Sequence, residues 1–332
     1  MILVTGGAGF IGSNLHAALA ARGHETVVVD RLRAGAAGKW RNLRHHPPSR
    51  LLPPEQLDGF LGSRPPIEMV FHLGAVSSTT ADDGDLVWAS NVSLSQRLFA
   101  WCAQHQARLV YASSAATYGD GGQGFEDDPA TLPDLHPLNL YGWSKHAFDL
   151  QVARATGPRP VQCAGLKFFN VYGPNEYHKG AMISVVKVKF DEVASGRRPT
   201  LFRADPTVAN LTAAGPAGAP GSQARDFVWV GDVVDVLLWL LDTPDVSGLF
   251  NLGTGTARSY LDLAHAVCGA AGVTPDIEFV DMPARLHGQY QAFTQAPMAR
   301  LRAAGYAGQF TPLEAGIGRY VSHHLSRTDP YL

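Results

Sequence analysis

The chain has 332 residues, 45% of them hydrophobic and 17% charged, with 27 Lys+Arg against 29 Asp+Glu. That length supplies roughly two domains with a sizeable core, the near balance of charge argues against nucleic acid or an acidic membrane as partner, and no apolar run is long enough to cross a bilayer. The start, Met1-Ile2-Leu3-Val4-Thr5-Gly6, lacks the features of a secretory signal, and the scattered Cys102, Cys163 and Cys268 support neither a disulfide framework nor a metal site, so a cytoplasmic α/β protein of enzyme size is expected.

Ile2-Leu3-Val4 reads as a short strand broken by Gly6-Gly7-Ala8-Gly9. From about Phe10 to Arg22 the apolar Phe10, Ile11, Leu15 and Leu19 fall at helical spacing, and Gly23 ends the run. Thr26–Val29 is a second buried strand, closing on Asp30. The pattern recurs as strand Met69–Phe71, a helix near Leu86–His105, strand Leu109–Tyr111, helix Tyr141–Ala155 and strand Gln162–Phe168. Continuous apolar strands alternating with helices predict a doubly wound parallel sheet covered on both faces. Pro206–Gln223, rich in Ala, Gly and Pro, reads as a long loop. Strand Asp226–Val230, helix Val233–Leu241, strand Gly248–Gly253, helix Tyr260–Ala271 and strand Ile277–Val280 follow.

Gly6, Gly9 and Gly12 form GxxGxxG between a strand and a helix, with an acidic residue ending the next strand. In that context the glycines let a pyrophosphate approach the backbone, and the helix N-terminus offers it N–H groups and a positive dipole end. Asp30 can accept hydrogen bonds from ribose hydroxyls, which suggests NAD. Arg31 to Pro54, however, holds Arg31, Arg33, Lys39, Arg41, Arg44 and Arg50 with no Asp or Glu. Such cations neutralise a 2′-phosphate, which favours NADP, with NAD as the alternative; a solvated basic loop is the plainer reading.

Tyr141 and Lys145 lie four residues apart at a predicted helix start, on one face. A tyrosine titrates near 10, and a neighbouring ammonium together with a nicotinamide cation would favour tyrosinate. Ser114 ends a predicted strand, where open α/β sheets present ligands. YxxxK alone usually marks two surface residues. With the glycine turn and the serine strand it becomes a device for taking a proton from an alcohol while hydride leaves its carbon.

On these motifs the chain resembles the extended short-chain dehydrogenase/reductase family of nucleotide-sugar epimerases and dehydratases. The resemblance rests on TGGAGFIG at Thr5–Gly12, SSAATYG at Ser113–Gly119, YxxxK at Tyr141–Lys145, NVYGP at Asn170–Pro174 and RDFVWVGD at Arg225–Asp232, in the family's order. It implies a Rossmann domain for the nicotinamide cofactor, residues 1–171 plus about 226–255. A smaller C-terminal α/β domain, about 172–225 plus 256–332, would hold the sugar nucleotide.

Dehydratases of this family carry paired carboxylates right after the Ser/Thr of the serine motif. Here those positions are Ala115 and Ala116, so elimination lacks a proton shuttle. Oxidation to a carboxylate usually needs a cysteine nucleophile, whereas Cys102 and Cys163 fall in predicted elements and read as core. Epimerisation or simple reduction remains. Lys179, in the segment Tyr177–Gly180, is a second candidate base, although a loop lysine is ordinarily just solvated.

FNVYGPNEYHKG at Phe169–Gly180, SSTT at Ser77–Thr80 and YQAFTQAPMARLRAAGY at Tyr290–Tyr306 are similar to the branch of the family that inverts C6″ of ADP-heptose, a lipopolysaccharide precursor. That resemblance implies Ser114, Tyr141, Lys145 and Lys179 as catalytic residues, with Tyr141 and Lys179 exchanging protons on opposite faces of the sugar carbon. It implies a cofactor site of Gly6, Gly9, Phe10, Ile11, Gly12, Asp30, Arg31, Lys39, Leu73, Gly74, Ala75, Asn91, Tyr141, Lys145, Val171 and Lys179. Substrate would meet Ser77, Ser114, Asn170, Ala181, Phe202, Arg225 and Tyr290, with Arg225 at the diphosphate. The assembly implied is a homo-oligomer, a homopentamer in the family. The chain departs from the branch at Ala181 (Ser there), Val188 (His there), Leu73 (Glu there) and Ser49–Pro54, which lacks the usual Asp. Other readings are a UDP- or GDP-sugar 4-epimerase or reductase, a different nucleotide heptose as substrate, and a redox sensor that binds NADP without chemistry. Sensors generally lose the Tyr–Lys pair that this chain keeps.

Overall fold

The computed structural model describes residues 1–32, 38–203, 221, 223–283 and 293–332. In chain order, its first half runs β1 (Ile2–Thr5), α1 (Phe10–Ala21), β2 (Thr26–Val29), β3 (Arg50–Leu52), α2 (Leu57–Gly62), β4 (Met69–His72), α3 (Gly84–Val87), α4 (Leu94–Gln104), β5 (Arg108–Ser114), α5 (Leu140–Arg154) and β6 (Cys163–Phe168). Then follow β7 (Asn170–Tyr172), α6 (Val185–Ala194), β8 (Thr200–Phe202), β9 (Ala224–Arg225), β10 (Phe227–Trp229), α7 (Val230–Asp242), β11 (Gly248–Leu252), β12 (Arg258–Ser259), α8 (Tyr260–Ala270), β13 (Glu278–Val280), α9 (Ala299–Ala303) and α10 (Leu313–Tyr320).

Seven strands form one parallel sheet in the order β11-β6-β5-β4-β1-β2-β3. Alternation along each strand feeds both faces. Ile2, Val4, Met69, Phe71 and Val110 pack with Leu15, Leu19, Val233, Val236 and Leu237 of α1 and α7. Leu3, Val70, Leu109 and Tyr111 point the other way, onto Leu98, Phe99, Phe148 and Val152 of α4 and α5. Each such aliphatic residue contributes about 1.5–3 kcal/mol on burial. This is the doubly wound sheet the sequence predicts, and its order reverses between β1 and β4, the point where open α/β sheets bind ligands. A third core gathers Tyr172, Val186, Phe227, Leu263, Val267, Ile317 and Tyr320 around α6, α8 and α10. Among the described residues no helix is long and apolar enough to cross a membrane.

Two expectations change. The single helix near Leu86–His105 is α3 and α4 joined by a π-helical stretch, Trp88–Ser93, and Asp83 caps its start by accepting from the Leu86 N–H at 2.9 Å. The strand expected at Asp226–Val230 is the shorter β10, since α7 already begins at Val230, and the Asp226 carboxylate, accepting from Thr254 N, Thr254 Oγ1, Gly255 N and Ala296 N, separates it from β9. Ser49–Pro54 supplies β3, an edge strand whose three residues pair with β2 and are too few to show a period. The loop expected at Pro206–Gln223 lies outside the described residues apart from Gly221 and Gln223.

Candidate active site

The glycine turn sits at the point of reversal. Gly6 has φ +69°, and a Cβ on it would come 2.6 Å from the Gly74 backbone nitrogen beyond β4. A Cβ on Gly12 would lie 2.2 Å from the Gly6 carbonyl oxygen. The turn therefore closes only with glycine, and it brings the ends of β1 and β4 together with Leu73, Gly74 and Ala75 beside it. No side chain caps the N-terminus of α1, and its first turn holds no acidic residue. Its positive end is thus left to an outside anion, so the cradle fits a dinucleotide pyrophosphate.

Asp30 ends β2 with both carboxylate oxygens engaged. Oδ2 accepts from Ala8 N at 2.9 Å, while Oδ1 accepts from Arg31 N at 2.7 Å and from the Lys39 ammonium. The wholly cationic segment of the sequence is less so in space. Arg31 pairs with Glu55, one residue past the acid-free stretch, Lys39 with Asp30, and Arg44 with Asp329. Sequence reading missed this because all three acids lie outside the segment, Asp30 and Glu55 just beyond its ends and Asp329 near the end of the chain.

A buried relay also escaped it. Ser95 Oγ donates to the Asn91 carbonyl oxygen at 2.6 Å, so it accepts from His72 Nε2–H at 2.8 Å, and His72 Nδ1 accepts from Thr5 Oγ1 at 2.7 Å. The π stretch turns Asn91 inward. Its side chain closes on Val76 N and O at 2.8 and 2.9 Å and donates to Ser144 Oγ at 3.0 Å, fixing the loop that holds Ala75 and the exposed Ser77. Burial, then the Lys145 charge, pushes His72 from its ordinary 6.5 down to about 3. Between those values the unfolded chain binds a proton that the folded chain refuses. Stability contributed by His72 is therefore lost as pH falls from about 6.5, by ~1.4 kcal/mol per pH unit. Denaturant unfolding of His72→Gln between pH 6 and 4 will show a shallower pH slope than the parent, and equal slopes would contradict this account.

Three neighbouring residues of β5 meet three of α5. Ser114 stands beside the Tyr141 hydroxyl and favours its charged form, Lys145 Nζ donates to the Ala112 carbonyl at 2.8 Å, and Ser113 Oγ donates to Asp149 Oδ2 at 2.6 Å. Asn139 sets where α5 begins, accepting from Gly142 N at 2.9 Å, so Tyr141 stands in the first turn. Tyr141, Lys145 and Asp149 then share one face at four-residue steps. Asp149 is also paired with Lys167 at 2.8 Å, both side chains fully buried. Lys145 is pushed down to about 8 by burial, with Asp149 opposing. The expected lowering at Tyr141 is not found in the protein alone. Burial drives the phenol upward, the Ser114 hydrogen bond opposes and Asp149 adds to the rise. Tyr141 therefore rests as a neutral donor beside the Ser114 hydroxyl, and together they suit a sugar hydroxyl or ketone oxygen.

Lys179 comes in from the loop after β7, its Nζ 5.0 Å from the centroid of the Phe10 ring at the start of α1, next to the glycine turn. Burial lowers its ammonium, and Glu176 opposes. Ala181 beyond it is exposed, and Thr79 Oγ1 contacts Met182 Sδ at 3.8 Å, which brings the Ser77–Thr80 loop to this wall. Ile11, Leu73 and Val171 are half-buried against the core. Asn170 is exposed at the start of β7. Arg225 is buried, its guanidinium 5.8 Å from the Tyr260 ring centroid, and Phe202 is half-buried in β8. Tyr290 lies outside the described residues. Cys102 and Cys163 are buried, with burial pushing both thiols up to about 12, as core residues rather than nucleophiles.

Residues 2–253 match the model of the NAD dependent epimerase/dehydratase family. The chain belongs to that family. Its Rossmann-type sheet and glycine turn are the family's architecture, and the family's cofactor is a nicotinamide dinucleotide. The chain is 45% identical over 339 residues, all of both chains, to an ADP-L-glycero-D-manno-heptose-6-epimerase of Nitratidesulfovibrio vulgaris strain DP4. It is 42% identical to an enzyme of the same name from Alkalilimnicola ehrlichii, covering 97% of this chain and 96% of that one. Among solved structures, the ADP-L-glycero-D-manno-heptose-6-epimerase of Helicobacter pylori superposes with TM-score 0.77 at 26% identity, covering 97% of this chain and 95% of that one. The UDP-glucose 4-epimerase of Thermus thermophilus, in complex with NAD, superposes with TM-score 0.74 at 28% identity, covering 97% and 98%.

Proposed function

We propose that the chain epimerises ADP-D-glycero-D-manno-heptose to ADP-L-glycero-D-manno-heptose at C6″, by transient oxidation. What supports this reading is Tyr141 with Ser114 and Lys145 at the end of β5, together with Lys179 over Phe10 at the start of α1, beside the glycine turn; the reading sets these two groups on opposite faces of the sugar carbon. Full-length similarity to enzymes named for this reaction supports it. Ser114 and Tyr141 hold the C6″ oxygen, and Tyr141 exchanges its proton. Lys145, anchored on the Ala112 carbonyl, keeps a positive charge below the phenol. Lys179 exchanges the proton on the opposite face, so inversion proceeds without release of the ketone. Bound in the crevice, the nicotinamide would supply a hydride acceptor, a hydride donor for the return, and a positive charge that favours tyrosinate. Asn170, Phe202, Arg225 and Tyr290 are assigned to the sugar nucleotide. Residues 1–171 with about 226–255 are assigned to the cofactor part and the remainder to the substrate part. The same reading includes a homo-oligomer acting in the cytoplasm.

NADP is the coenzyme we favour over NAD. The Lys39 ammonium on Asp30 cancels the charge that would repel a 2′-phosphate, and Arg31 stands next to it. Lys39→Ala will weaken NADP binding ~10-fold or more, about the worth of one charge-assisted hydrogen bond, and NAD binding much less. Equilibrium titration with both coenzymes checks this, and equal losses would contradict it. The reading as a whole is tested by incubating the protein with ADP-D-glycero-D-manno-heptose and, separately, UDP-glucose. NMR should find inversion at C6″ of the heptose. Inversion only at C4″ of the glucose would overturn the reading in favour of a 4-epimerase.

A further inference from the structure

The loop that carries Lys179 is closed at its base by a buried carboxylate. Glu176 Oε2 accepts from Ser184 N at 2.7 Å, and Oε1 accepts from Ser184 Oγ at 2.6 Å and from the Tyr320 hydroxyl at 3.0 Å. Ser184 is the N-cap of α6, its Oγ accepting from Lys187 N at 3.3 Å. One carboxylate thus joins both ends of the 177–183 segment to α6 and to α10. The outer side of the loop is tied elsewhere. Asn42 Nδ2 reaches the Asn175 carbonyl at 2.9 Å and His178 Nδ1 at 3.2 Å, and Asn175 Nδ2 donates to Ser13 Oγ at 3.0 Å on α1. The lysine at the tip is therefore held from a fixed base against the start of α1.

Hydrogen bonds alone do not call for a charge at this point. The three donors to Glu176 are neutral, both Glu176 and Tyr320 are fully buried, burial pushes the Glu176 carboxyl up, and Lys179 is the cation that opposes that rise. We propose that Glu176 is a positioning residue for proton exchange at Lys179: its clasp on Ser184 fixes the base of the loop, and its buried charge balances the ammonium at the tip. The proposal rests on Lys179 being the second acid/base group.

The other titratable groups around the loop are accounted for. His178, beside Lys179, is pushed down to about 4 by burial and then by the charges of Lys39 and Lys179, so it is neutral near pH 7. Lys39 is paired with Asp30, and Asp329 with Arg44 and His45. Tyr177 and Tyr320 are both pushed upward by burial and stay neutral. Glu176 is the charge left facing Lys179.

The test compares pH profiles of C6″ epimerisation for the parent, Glu176→Gln, Lys179→Met and Ser184→Ala. Gln keeps an acceptor for Ser184 and removes the charge. The alkaline limb that Lys179→Met abolishes will move to lower pH in Glu176→Gln by about one unit, the low end for an adjacent opposite charge. Ser184→Ala leaves the charge in place and loosens the clasp, so kcat will fall several-fold with coenzyme affinity unchanged. An unmoved limb in Glu176→Gln, or unchanged kcat in Ser184→Ala, overturns the proposal while leaving Lys179 as a base. Parent-like turnover and profile in Lys179→Met would instead remove the reading on which the proposal rests. If Glu176→Gln does not fold, the kcat of Ser184→Ala decides.

Discussion

Tyr141→Phe will epimerise ADP-heptose ~10²–10⁴-fold more slowly than the parent, the range lost with one general acid/base. The substitution removes only the hydroxyl that Ser114 engages. The ring, the Asn139 cap that starts α5 and the Lys145 bond to Ala112 all remain. Coenzyme affinity should therefore stay near the parent value, which a binding titration beside the NMR rate will establish. The loss should fall on kcat, because the phenol acts on the reacting oxygen rather than on the nucleotide. Full turnover in Tyr141→Phe would remove the phenol from the chemistry.

The largest effect on stability is expected beneath that site. Lys167 Nζ donates to Asp149 Oδ2 at 2.8 Å and to Thr117 Oγ1 at 2.6 Å, and lies 4.8 Å from the centroid of the Tyr118 ring. Lys167→Met leaves the Asp149 carboxylate in the core with its Ser113 donor but without its paired ammonium. Breaking such a pair costs about 3–5 kcal/mol, whereas replacing both members by apolar groups is often nearly neutral. The double variant Lys167→Met/Asp149→Leu should thus unfold at higher denaturant than Lys167→Met alone. Its activity should nonetheless suffer, since Asp149 anchors the third rung of the β5–α5 ladder that aligns Tyr141. A single variant within about 1 kcal/mol of the parent would show that the pair does not hold the core in this way.

Much of this was legible in the chain itself, for identifiable reasons. Strands such as Thr26–Val29 and Met69–His72 are apolar throughout because they are covered on both faces, and that signal survives without tertiary knowledge. The glycine turn and the Tyr141–Lys145 spacing are local in sequence, so they too could be read directly. What escaped depends on distant partners. Glu55 neutralises Arg31 and Asp329 neutralises Arg44 across the fold. The Tyr141 phenol is raised in the protein alone, because burial outweighs its neighbours, so the lowering read from the sequence depends on the nicotinamide cation as well. Lys167, His72 and Glu176 carry no local motif. Asp149 had one that went unread, standing one further turn along the face of Tyr141 and Lys145. Short elements such as β7 and β8, with three residues each, hold too few positions for any period to emerge.

The central claim is inversion at C6″ by hydride removal and return inside one crevice. ADP-D-glycero-D-manno-heptose deuterated at C6″, incubated with the protein in ordinary water and followed by NMR, tests it most directly. The account predicts the L-glycero product with deuterium still on C6″, since the hydride leaves and returns without meeting solvent. Product in which solvent hydrogen has replaced the deuterium, or a heptose unchanged at C6″, would contradict it.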